Sequence, residues 1–288
     1  GSHTAGTLVG GNRTDNFIGM APDARLVASG PISNYDDMLG AMEFMLDPDR
    51  NPQTKDFPRL VSNSWNCEGA PDTELFYRAI AAWEAAGILP VFSAGNSGPR
   101  PSSITRPHEY PGVLAVGATG PDHKIADYSS RGPGIFRGQP TQKPDLTAPG
   151  SEINSSIPGG GYEKMDGTSM AAPHAGGAVA LTLQINSELN PAQIRELLVR
   201  TATPTAEDGT PGTAGVWNAS YGFGKISVYK AARMAHKIAQ AVSNAFSGQT
   251  YSFLDLFMST ERIGANAIID AGQNALEQSV IDSLIYPV

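Results

Sequence analysis

The sequence predicts an α/β fold with a mostly parallel central sheet, on three observations. Short apolar runs that read as strands alternate along the chain with amphipathic segments that read as helices. The runs Ile88–Phe92 and Val113–Ala118 are apolar at successive positions, as buried strands are. The chain has 288 residues, 40% hydrophobic and 17% charged, enough for a sizeable core in one or two domains.

Taken in order, His3–Gly10 is rich in small residues and reads as a short helix packed closely on a neighbour. A Pro-containing turn at Ala21–Ala24 leads to a strand near Arg25–Gly30. Met38, Met42 and Met45 share one face of a helix over Asn34–Met45, ended by Pro48 and Pro52. Leu60–Trp65 reads as a strand running into small polar residues. Asp72–Gly87 reads as a helix with Asp72 as N-cap and Gly87 just past its end. Helices follow over Ser169–Ser187, Pro191–Arg200 (Pro191 at its first position) and Val228–Phe246, with a surface loop at Thr203–Asn218. After Gly248 the composition changes, and Ala265–Leu284 reads as a further amphipathic helix. The 32 glycines and 22 prolines imply many tight turns between these elements.

Composition excludes several functions. The net charge is −8 without a basic block, which argues against a nucleic-acid partner. No run of 18 apolar residues exists, so no membrane-spanning helix is expected. Cys67 is the single cysteine, so no intrachain disulfide is expected; as most lone cysteines are, it is read as buried and inert, with a reactive thiol at the cleft edge as the alternative. No HExxH motif or Cys/His cluster points to zinc, and no EF-hand-like loop to calcium.

Chemistry concentrates in a few segments. In Gly167-Thr168-Ser169-Met170-Ala171-Ala172-Pro173 a serine stands where a Gly-containing loop enters a helix. Free backbone N–H groups at a helix start can stabilise an oxyanion beside a nucleophile, although a serine there also serves as an ordinary cap. A serine hydroxyl needs a base, most often histidine. His174 falls a turn and a half along the same helix and is expected in the core. His108, His123 and His236 read as surface or structural, whereas His3 stands among small residues that leave room for a serine. Two polar clusters, Ser62–Asn66 and Ser93–Asn96, directly follow predicted strands, where α/β ligand sites lie; the same residues also read as plain turns. Asn96 carries an amide able to donate to an oxyanion.

The ordered segments GSHTAGT, SNSW, SAGN and DGTSMAAPH, with YSSRGP, KPDLTAPG and YGFGKISVYKAA, resemble the subtilisin superfamily of serine peptidases, and within it the bacillopeptidase F-like members, over about residues 1–240. The resemblance implies a three-layer fold, a peptidase domain over residues 1–247 and a helical extension of unknown role over 248–288. It implies Ser169 as nucleophile, His3 as general base, and Asn96 with the Ser169 N–H as oxyanion donors. Ser64, Trp65 and Asn66 would form one cleft edge against an extended polypeptide substrate, and Ser93, Ala94 and Gly95 the opposite wall. No cofactor is implied; structural calcium occurs among relatives, but no ligands are assignable here. The resemblance also implies a secreted protein.

One part of the pattern is missing. The family aspartate lies on the first strand, well before the histidine, yet only two residues precede His3. Asp15, Asp23 and Asp36 do not stand in that setting. The expectation is a truncated or nicked domain lacking its first strand, with a separate N-terminal segment or propeptide as partner and little activity alone. The alternative is a pseudopeptidase that binds peptides or a protein partner. The acid-acting sedolisin group, which shares the Gly-Thr-Ser loop, is opposed by His3 and Asn96.

Overall fold

A computed structural model describes residues 1–11, 17–30, 32–67 and 73–246. The expected tail helix, the extension from residue 248, the Asp72 cap and Asp15 all lie outside these residues.

Four strands form the central sheet: β1 (Leu60–Asn63), β2 (Leu89–Ser93), β3 (Leu114–Thr119) and β6 (Leu146–Pro149), parallel and in that order. β2 and β3 are buried at every position because helices cover both faces, and this is why they read as unbroken apolar runs. On one face Leu89, Val91, Leu114 and Val116 pack with α4 (Thr168–Ile185), α5 (Pro191–Thr201) and α6 (Val228–Phe246). On the other, Phe92 and Ala115 pack with Ile80 and Trp83 of α3 (Thr73–Ala86) and Met42 of α2 (Tyr35–Phe44). Trp83 Nε1 donates to the Met42 carbonyl at 2.9 Å, joining those two helices. The α/β expectation with a parallel sheet is met.

Local signals hold where the sequence offered them. Gly87 follows α3 with φ +88°, a conformation that favours glycine. Asn190 and Gln193 close a reciprocal capping box around the Pro191 start of α5. The first helix, α1 (Ser2–Val9), lies between α4 and β7 (Ile153–Ser156). A Cβ on Gly6 would come within 2.4 Å of Ser156 Oγ, and one on Gly176 within 2.8 Å of Leu8, so glycines set both approaches.

Other expectations need correction. Arg25–Gly30 is not a strand: it has no ladder partner among the described residues, and Leu26 is half exposed. A strand persists only where a neighbour takes its backbone groups. The strand at residue 60 stops at Asn63 rather than Trp65. Two hairpins were not anticipated, β4 (Gly134–Phe136) with β5 (Gln139–Thr141), and β7 with β8 (Tyr162–Met165). β6 was likewise not read as a strand. These strands are three or four residues long, too short for a period to register.

Candidate functional site

The carboxyl ends of β1 and β2 and the start of α4 bring Ser64, Asn96 and Ser169 together, while His3, at the start of α1, bonds to β7 and β8. Ser169 is the second residue of α4, which starts directly after Gly167, whose φ of +153° excludes ordinary side chains. The first N–H groups of a helix have no partner within it, so the Ser169 N–H is free to donate outward.

Asn96 lies in the turn after β2. Its Oδ1 accepts from the Thr168 backbone N–H at 3.0 Å and from Thr168 Oγ1 at 2.8 Å. Thr168 Oγ1 in turn accepts from the Gly95 N–H at 3.2 Å. With the oxygen end committed, the amide presents Nδ2 as its donor. A Cβ built on Gly167 would lie 3.5 Å from Asn96 Nδ2 and 3.6 Å from Ser169 N. Both nitrogens therefore lie within 3.6 Å of one point beside Gly167.

Pro173 stands inside α4 and has no N–H to give the Ser169 carbonyl one turn back. Ser64 Oγ supplies that bond at 2.9 Å, fastening the end of β1 to the serine. Trp65 turns away from the site: its Nε1 donates to Asn63 Oδ1 at 3.1 Å and its ring packs edge-on to Phe92 at 5.1 Å. Asn66 is exposed, Ser93 and Ala94 are buried, and Gly95 is half-buried with φ +96°.

His3 is buried in the first turn of α1, and Ser155 Oγ donates to its carbonyl at 2.8 Å. Its Nε2 lies 3.0 Å from the Glu163 carbonyl oxygen of β8. A carbonyl can only accept, so Nε2 carries the proton in this arrangement. Nδ1 is buried without a hydrogen-bond partner, and no hydrogen bond joins His3 to Ser169. Asp23 and Asp36 are exposed on the turn before residue 25 and on α2.

The remaining histidines stay outside this group. His174 Nδ1 donates to Met170 O at 2.8 Å within α4, and burial pushes its pKa down. His108 is fully buried against Phe92, without a partner for either ring nitrogen, and burial drives its pKa to about 3. It is structural but not at the surface. His123 and His236 are exposed. Cys67 is buried, and burial with the nearby Glu109 carboxylate pushes its thiol up to about 12, which favours the inert reading. Away from the site, carboxylate oxygens of Asp47, Asp49 and Asp56 gather within 4.8 Å, Asp47 accepting from the Asn51 N–H, Asp49 from the Asn51 N–H and Thr54 Oγ1, and Asp56 from the Asp49 N–H.

Two contributors went unread in the sequence. Thr168 and Tyr128 both fall inside quoted motifs, but their partners lie 72 and 39 residues away, beyond any local pattern.

The sequence profile of the subtilase family matches residues 1–224. Bacillopeptidase F of Bacillus subtilis (strain 168) is 38% identical over 245 residues, covering 80% of this chain and 16% of that protein. Subtilisin BL of Lederbergia lenta is 34% identical over 203 residues, 70% of each. The solved structure of sphericase aligns with a TM-score of 0.64 at 32% identity, over 78% of this chain and 76% of that one. The chain thus spans only a small part of the first of these relatives.

Proposed function

Because the chain belongs to the subtilase family, we propose that it is the nucleophile-bearing part of a serine endopeptidase. The observation that supports this most is that Asn96 Nδ2 and Ser169 N both lie within 3.6 Å of one point beside Gly167.

In this reading Ser169 Oγ attacks the scissile carbonyl of an extended polypeptide, whose oxygen becomes an anion between the two donors. Ser64, Trp65 and Asn66 edge the cleft, with Ser64 holding the Ser169 carbonyl and Trp65 bracing the edge from behind. Ser93, Ala94 and Gly95 form the opposite wall. His3 takes the serine proton and passes it to the leaving amine. That step requires Nε2 unprotonated and the proton on Nδ1, which needs an acceptor there. No described residue supplies one. We infer that a carboxylate from outside the described residues completes the site, and that turnover without it falls by about 10⁴. No cofactor enters this chemistry. Action outside the cell follows from the family alone. Among the described residues no helix is long and apolar enough to cross a membrane.

The bond from His3 Nε2 to Glu163 O favours a second reading, a pseudopeptidase that binds peptides without cutting them. A fluorophosphonate probe separates the two. Labelling that disappears in Ser169→Ala supports an assembled nucleophile. A folded chain that takes no label, even with the Nδ1 acceptor supplied, is not a peptidase.

A further inference from the structure

We propose that Tyr128 is a positioning residue whose hydroxyl holds the loop before Ser169, and through it the two oxyanion donors, in place. This rests on Ser169 being the nucleophile, as proposed above.

The hydroxyl is in contact with three groups. It lies 2.9 Å from the Gly150 carbonyl, 2.8 Å from Ser151 Oγ and 3.1 Å from the Gly167 N–H. One O–H proton and two lone pairs suit this set: Tyr128 donates to Gly150 O and accepts from Ser151 O–H and Gly167 N–H. Burial pushes the phenol upward, so it remains a donor through neutral pH.

The loops it joins are those that matter. Gly150 follows β6, and Gly167 ends the approach to α4. The Gly167 N–H is shared between the Tyr128 hydroxyl and Gly150 O at 2.8 Å, and the Glu152 N–H donates to Asp166 Oδ1 at 2.6 Å. Gly150 has no room for a side chain, since a Cβ would fall 2.5 Å from Ala118 Cβ and 2.9 Å from Gly167 O. Neither glycine can anchor itself through a side chain. The Tyr128 ring packs on the core beside the sheet, so its hydroxyl ties this backbone contact to a fixed body. Two residues beyond Gly167 lies Ser169 N, and the intervening Thr168 holds Asn96. A shift of Gly167 therefore moves both donors together.

The test is Tyr128→Phe, which keeps the ring and removes only the hydroxyl. Two readouts are needed: the second-order rate of Ser169 labelling by a fluorophosphonate, and the affinity of a fluorescent extended peptide for the cleft. Labelling should slow ~5- to 10-fold, as loss of a neutral hydrogen bond allows, while peptide affinity stays within twofold. Hydrogen exchange gives an independent check: the Gly167 amide should be protected in the parent and exchange faster in Tyr128→Phe. Unchanged labelling overturns the proposal. So does a parallel fall in labelling and peptide affinity, the mark of general loosening, or an unprotected Gly167 amide in the parent, should the variant not fold. A parent chain that binds peptide but takes no label with the Nδ1 acceptor supplied sinks the nucleophile reading itself, and the positioning role with it.

Discussion

Replacing Thr168 by valine should isolate what holds the Asn96 amide. Valine keeps the volume and the backbone N–H, so the 3.0 Å bond from Thr168 N to Asn96 Oδ1 survives. The 2.8 Å bond from Thr168 Oγ1 is lost, and the Gly95 N–H loses its acceptor. One neutral hydrogen bond is worth about 1 kcal/mol net. An amide held by one bond instead of two spends more time turned, with Oδ1 facing the developing negative charge. Loss of about 1–1.5 kcal/mol corresponds to roughly a tenfold slower reaction. Asn96→Ala, which removes the donor outright, should cost about 10²–10³. The assay is the rate of Ser169 labelling by a fluorophosphonate, with Thr168→Ser, which keeps the hydroxyl, expected near the parent. Acting through Asn96, Thr168→Val should add less than twofold once Asn96 is alanine. An equal loss in both backgrounds, or no loss in the parent, refutes the reasoning.

Three further outcomes follow from buried groups outside the site. Lys143 Nζ pairs with Asp145 Oδ2 at 2.7 Å, both nearly fully buried, so Lys143→Met should strand a carboxylate and cost about 3 kcal/mol in urea unfolding. Arg195, 3.7 Å from Asp145 Oδ1, keeps that cost at the low end, and a loss under about 1 kcal/mol would contradict the pairing. Burial raises the Glu109 carboxyl from 4.5 to about 7, so the folded chain binds more protons than the unfolded one between those values. Stability should therefore fall as pH rises from 4.5 through 7, by at most roughly 3 kcal/mol, and Glu109→Gln should flatten that slope in chemical unfolding at several pH values. Cys67 should resist thiol reagents at neutral pH until the chain unfolds; rapid modification of folded protein would place its thiol at the surface.

The sequence carried the fold where each element has a cause of its own. β2 and β3 are buried on both faces and read as apolar runs, Asn190 and Pro191 cap α5 locally, and Gly87 ends α3. The candidate residues Ser169, Asn96 and His3 were legible because each sits in a motif of neighbours. What stayed hidden depends on distant partners. Arg25–Gly30 has strand composition but no neighbour among the described residues. The β7–β8 hairpin is four residues per strand around Gly159–Gly161, yet it sets the state of His3 by a bond to Glu163 across 160 residues. His108 has polar neighbours in sequence and becomes buried only when its turn closes over Phe92.

The candidate site is therefore preorganised unevenly. Ser169, its N–H and Asn96 are braced from four segments: Ser64 after β1, Gly95 after β2, Thr168 in α4 and the Tyr128 hydroxyl. Pro173 contributes by leaving the Ser169 carbonyl open for Ser64. The proton-transfer side has only the hairpin, and there the imidazole holds its proton on the nitrogen that would have to accept one. Donor geometry and proton transfer can then be separated by experiment. A fluorophosphonate needs the nucleophile and the donors, with a good leaving group and little general acid. In the proposed mechanism peptide hydrolysis also needs His3 to receive and return a proton, because an amine leaves only when protonated. A ligand that offers a carboxylate to Nδ1 should move the proton there and free Nε2 from Glu163, accelerating hydrolysis far more than labelling. Equal acceleration of both would mean that the donors, not the histidine, are the incomplete part.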